Sequence, residues 1–172
     1  MSYTAPPVVI AGAIYTASEH NTFSVANIIA LRATPSNCAA AYHSTTQTVT
    51  AGNTTELNLD SEDLDTSTMH DTVTNNNRIT IPTGGDGRYL CFGHTSQASA
   101  NGTLHLRKNG SNIRSATAAS SLPSLTVIGY LALVATDWIS LAGQAGGSNV
   151  DFGSATKSLA TWLNVVGPLP PA

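Results

Sequence analysis

The chain has 172 residues, seven Lys plus Arg, ten Asp plus Glu and a formal net charge of −3, which fits one domain of ordinary size and excludes the basic surface needed to hold a nucleic-acid backbone. Charged residues make up only 10%, against about 25% in an average soluble domain. With Ser, Thr, Asn, Ala and Gly filling the surface, the composition points to a stiff β-rich domain rather than a helical enzyme, and the 41% apolar content is enough to fill a core without disulfides.

The first residues, Met1-Ser2-Tyr3-Thr4-Ala5-Pro6-Pro7, carry no basic segment, and the apolar run from Val8 to Ala13 is too short to cross a bilayer. The expectation is a cytosolic product with no export signal and no membrane partner. Pro6-Pro7 opens an extended arm. Thr16 then serves as an N-cap with Glu19 three residues on, the capping-box pattern. Val25, Ile28 and Ile29 recur at helical spacing before Pro35 stops the helix. Such a short amphipathic helix is not stable alone, so its stripe must pack on its own domain, on sister helices or on a partner. Residues 1–36 are therefore read as a separate arm and helix, with Val8, Val9, Ile10, Tyr15, Phe23, Val25, Ile28 and Ile29 as its anchoring side chains.

From residue 37 to 172 the pattern changes to period two. Leu57 and Leu59, Ile79 and Ile81, and Leu104 and Leu106 alternate with polar residues, as in half-buried strands. Longer strands are expected at 88–95, 125–135, 138–142 and 158–166. Gly84-Gly85-Asp86-Gly87, Asn109-Gly110 and Gly146-Gly147 supply the turns between them. The expected fold is all-β, a sandwich or jelly roll of about eight to ten strands preceded by the short arm and helix.

Little in this pattern carries chemistry. The stretch Asp60-Ser61-Glu62-Asp63-Leu64-Asp65 could offer oxygen ligands to calcium, but it lacks the EF-hand spacing and central glycine and reads better as a solvated loop. His20, His43, His70, His94 and His105 have no metal-ligand spacing. His70 stands beside the carboxylate of Asp71, but adjacent strand residues face opposite sides. Cys38 and Cys91 match no metal motif and read as small buried hydrophobes, with a disulfide left open. No nucleophile elbow, phosphate loop or dinucleotide fingerprint occurs. The expectation is a non-enzymatic protein with no catalytic residue, metal or cofactor.

The order of landmarks between Ala39 and Gly167 resembles the complement-type globular head, a jelly roll of the tumour-necrosis-factor-like superfamily. The resemblance rests on Asp65-Thr66-Ser67-Thr68-Met69-His70-Asp71, then Arg78-Ile79-Thr80-Ile81-Pro82 and Gly87-Arg88-Tyr89-Leu90, and on the hairpin Leu104-His105-Leu106-Arg107-Lys108-Asn109-Gly110. It continues in Leu133-Val134-Ala135-Thr136-Asp137-Trp138-Ile139-Ser140-Leu141, which is similar to the family's hairpin with Thr136 in place of its glycine, and in the closing strand Leu159-Ala160-Thr161-Trp162-Leu163-Asn164-Val165. The preamble from Gly12 to Asn21, with Asn27-Ile28, resembles the leader of many phage tail and virion proteins. Together the resemblances imply a homotrimer on a virion surface, assembled in the host cytoplasm and held by capsid or tail proteins through residues 1–36. Tyr42, Tyr130 and Trp162 are the large residues available for its three-fold seam, and the tail Gly167-Pro168-Leu169-Pro170-Pro171 is expected to be held by a neighbour. The alternative is an adhesin whose loops hold host surface glycans, disfavoured by an aromatic content of 6%.

Overall fold

A computed structural model describes residues 36–96, 101–118, 124–156 and 160–169. The expected helix, and with it Val8, Val9, Ile10, Tyr15, Phe23, Val25, Ile28 and Ile29, lies outside the described residues. Within them the chain is all-β. Eight longer strands, β1 (Asn37–His43), β4 (Ser61–Asp65), β6 (Gly87–Ser96), β7 (Gly102–Lys108), β8 (Ser111–Thr117), β9 (Ser124–Leu133), β10 (Trp138–Ala145) and β12 (Thr161–Leu169), carry the fold. Four three-residue strands join them: β2 (Gln47–Val49), β3 (Thr54–Glu56), β5 (Arg78–Thr80) and β11 (Val150–Phe152).

One sheet has the order β4-β1-β12-β6-β9; the other has β3-β10-β7-β8, with β5 also on β10. β2 and β11 form a separate pair. All described pairings are antiparallel, and most neighbours are distant in sequence, which is jelly-roll connectivity. Period-two alternation sends Ala39, Ala41, Tyr89, Cys91, Val127, Leu163 and Val165 of the first sheet inward, to meet Leu104, Leu106, Ile139 and Leu141 of the second. The sheets approach closely at Gly93, where a Cβ would lie 2.3 Å from Leu141 Cδ2.

The hairpin at Asn109-Gly110 forms as its sequence predicts. Both residues have positive φ, 49° and 79°, and join β7 to β8 in the twist-compatible turn. Three expectations need correction. The acidic stretch is no loop: Ser61–Asp65 is β4, an edge strand paired to β1 across a bulge. Its carboxylates bind locally. Asp60 accepts hydrogen bonds from Ser44 N and Oγ at 2.7 and 3.0 Å, and Asp65 accepts from Ser67, Met69 and His70 backbone N–H groups. Charge on such an edge discourages further strand pairing. The segment after Leu133 is no hairpin within a sheet, because β9 and β10 belong to different sheets and the turn at 134–137 crosses between them. The tail is shorter than expected, since Gly167 and Leu169 belong to β12, and Leu169 pairs with Arg88 of the same chain.

The crossing turn is held by Asp137, which is 8% exposed. Its carboxylate accepts from Val134 N at 2.9 Å and Asn109 Nδ2 at 2.7 Å and pairs with Lys108 Nζ at 2.7 Å. Burial pushes its pKa up, but the hydrogen bonds from Lys108, Val134 and Asn109 and the Lys108 charge hold it below the usual carboxylate value. Beside it Thr136 has φ 74°, the left-handed conformation that a β-branched residue resists. Thr136→Gly should therefore stabilise the fold by about 0.5–1 kcal/mol, the relief of about 1–2 kcal/mol of left-handed strain exceeding the entropy cost of glycine. A urea unfolding series that gave a lower midpoint for the variant would contradict this.

Candidate functional site

The outward side chains of the first sheet form a continuous face. In register across β1, β12, β6 and β9, the first row is Tyr42, Trp162, His94 and Thr126; the second is Ala40, Asn164, Phe92 and Ile128; the third is Cys38, Val166, Leu90 and Tyr130. On β4, Leu64 extends the second row beside Ala40. None of these rows contains a Lys, Arg, Asp or Glu. Arg88 closes one end, its guanidinium 5.6 Å from the centre of the Tyr130 ring.

Four of the six large hydrophobic residues that the described surface exposes, Leu64, Leu90, Ile128 and Tyr130, lie on this face, with Ile128 59% exposed. Scattered exposed hydrophobes are ordinary, whereas a continuous apolar face over four strands marks an association surface. The strand sequences explain it. In β9 both sets of alternating residues are apolar, Leu125, Val127 and Leu133 inward and Ile128 and Tyr130 outward, as in a strand covered on two sides.

All three residues assigned to a seam from sequence lie on this face. Tyr42 and Trp162 are cross-strand partners and stack with ring centroids 4.6 Å apart and planes 26° from parallel. Tyr130 stands apart from them on the edge strand β9. Sequence reasoning missed Leu64, Leu90, Phe92, Ile128 and Val166. The two-faced apolar pattern of β9 was the available signal.

The remaining candidates disperse. His70 turns to Glu62, Nδ1 to Oε2 3.2 Å, while its neighbour Asp71 faces outward and accepts from Val73 and Thr74 N–H groups, which lower its pKa. His43 Nδ1 lies 3.3 Å from Asp60 Oδ2, close enough for a charge contact but outside hydrogen-bond geometry, and its Nε2 contacts Thr45 Oγ1 at 3.1 Å. His105 lies between Ser115 and Gln144, and His94 Nδ1 meets Thr126 Oγ1 at 3.1 Å. His20 lies outside the described residues. Neither cysteine is in a disulfide. Cys38 faces outward from β1 while Cys91 faces the core from β6, two strands away, where burial pushes its thiol up to about 12.

No protein-family model matches the chain, and no curated protein matches it. Solved structures do. The globular domain of zebrafish complement 1qA protein is similar with a TM-score of 0.56 and 13% identity, over 78% of this chain and 99% of that one. Murine APRIL is similar with a TM-score of 0.52 and 12% identity, over 76% of this chain and 98% of the other. The likeness is one of fold, an all-β jelly roll.

Proposed function

We propose that this chain is a non-enzymatic structural module of a bacteriophage particle. Residues 37–172 assemble as a homotrimer through the outer face of the first sheet, and residues 1–36 anchor the trimer on capsid or tail proteins. The observation that carries the trimer is the outer face of β1, β12, β6 and β9, whose three rows hold no Lys, Arg, Asp or Glu and expose Leu90, Ile128 and Tyr130. The virion role is supported by the resemblance of the preamble to phage leaders, and anchoring three copies at once would strengthen attachment by multivalency. The test is the solution mass of the full chain and of a version lacking residues 1–36, with binding of each to particles stripped of this protein. Trimers of both, with only the full chain rebinding, support the proposal; a monomer that rebinds overturns it.

His94 adds a pH dependence. It is half-buried in the first row, and desolvation lowers its pKa. The unfolded chain therefore binds a proton more tightly than the folded one. Stability is complete above the ordinary imidazole value of about 6.5 and declines as the pH falls through the lowered folded value. In a trimer the ring is covered further. The thermal midpoint of the full chain should fall between pH 7.5 and 5.0 more than that of His94→Gln, and equal falls would remove His94 from the interface.

A further inference from the structure

The outer face of the second sheet has the opposite chemistry. Its rows are Arg78, Ser140 and Arg107; then Glu56, Ala142, His105 and Ser115; then Thr54, Gln144, Thr103 and Thr117. In the first of these, Ser140 of β10 stands directly between Arg78 of β5 and Arg107 of β7, with Cβ atoms of opposed residues about 4.5–5.5 Å apart. Ser140 is fully buried, and its Oγ has no hydrogen-bond partner among the described residues; the same holds for the buried Nε atoms of Arg78 and Arg107.

The two arginines differ. Arg107 is neutralised by Glu56, Nη1 to Oε1 2.7 Å, and is tied by Nη2 to the Gly110 carbonyl. Arg78 makes no ion pair among the described residues, and its guanidinium lies 5.3 Å from the Trp138 ring centre. One uncompensated positive charge thus sits beside three orphan polar groups, every one of which can donate a hydrogen bond. A water molecule has only two acceptor sites and two protons to place. A carboxylate or another oxyanion offers several lone pairs and the matching charge.

The geometry points to a binding site for an oxyanion carried on a sugar, an acidic glycan residue. Its carboxylate takes Arg78, Ser140 and Arg107 Nε. The Trp138 ring offers an apolar platform, and in the adjoining row the exposed Ser115 hydroxyl, already bonded to His105, keeps a lone pair for a sugar hydroxyl. Because Arg107 is tied at Nη1 and Nη2, Arg78 is the side chain that shifts to admit the carboxylate and then bonds it. This inference is independent of the trimer proposal, which uses the other sheet.

The test is calorimetric titration of the full chain with glucuronate, glucose and sulfate. Glucuronate should bind saturably and more tightly than sulfate, and glucose should not bind. Arg78→Gln should weaken glucuronate at least tenfold and Ser140→Ala several-fold, each with unchanged circular dichroism. Arg114→Ala, which removes an exposed arginine from β8, should leave binding intact. Sulfate binding as tightly as glucuronate would overturn the sugar assignment. No glucuronate binding, or equal losses in Arg78→Gln and Arg114→Ala, would overturn the site.

Discussion

Ile128→Arg should convert the assembled protein to monomers that keep the native β-sheet spectrum. Ile128 is 59% exposed in the single chain, so an arginine there reaches water, and the monomer should lose no more than about 0.5 kcal/mol. In a trimer sealed by this face, three-fold symmetry places three unpaired guanidinium groups in an apolar seam. Removing even one such charge from water costs several kcal/mol after relaxation, and the variant adds three. Dissociation at micromolar concentration is the expected reading in analytical ultracentrifugation. Leu90→Arg, in the third row of the same face, should do the same. Val73→Arg is the control, because Val73 is 83% exposed on the loop between β4 and β5 and should leave the trimer intact. A trimer in Ile128→Arg and Leu90→Arg would place the contact elsewhere.

Local pattern carried much of the fold into view. The β7–β8 hairpin was legible because Asn109-Gly110 is a short-range signal, and the sandwich because alternation at Ile79, Leu104, Leu106 and Leu163 matches the inward face. Leu57 and Leu59 are buried as alternation predicts, although β3 stops at Glu56. The acidic stretch misled because charge reads as solvation, while an edge strand can be charged and still pair on one side. The outer face was half legible. Tyr42 and Trp162 announce themselves as large aromatics, but their stacking, and the rows that join Leu90 and Ile128 to them, depend on register between strands some 30 to more than 100 residues apart. The same limit hid Arg78, Ser140 and Arg107, which nothing connects until β5 and β7 both pair with β10.

Gly167→Ala should be among the most destabilising single-methyl changes in the domain. Gly167 faces inward on β12, opposite Asn37 of β1, and the Tyr89 ring fills the space a side chain would take there. A Cβ there would stand 2.4 Å from Tyr89 Cδ1 and 2.7 Å from Cγ. The ring cannot yield easily. Tyr89 is fully buried, its hydroxyl donates to the Gly85 carbonyl at 2.6 Å, and it accepts from Asn37 Nδ2 at 3.0 Å. Either the ring moves and breaks these bonds, at about 1–3 kcal/mol for a buried group left unpaired, or β12 shifts and the overpacked site costs about 1–3 kcal/mol. A loss of about 1–3 kcal/mol is therefore expected in urea unfolding. Tyr89→Phe alone should cost about 1–2 kcal/mol, because it strands Asn37 and Gly85 without opening a cavity. The double variant Gly167→Ala with Tyr89→Leu should lose less than the two single variants added together, because a narrower, flexible side chain can clear the new methyl. Additive losses would show that the methyl clashes with the strand itself and that the Tyr89 ring does not set the requirement for glycine.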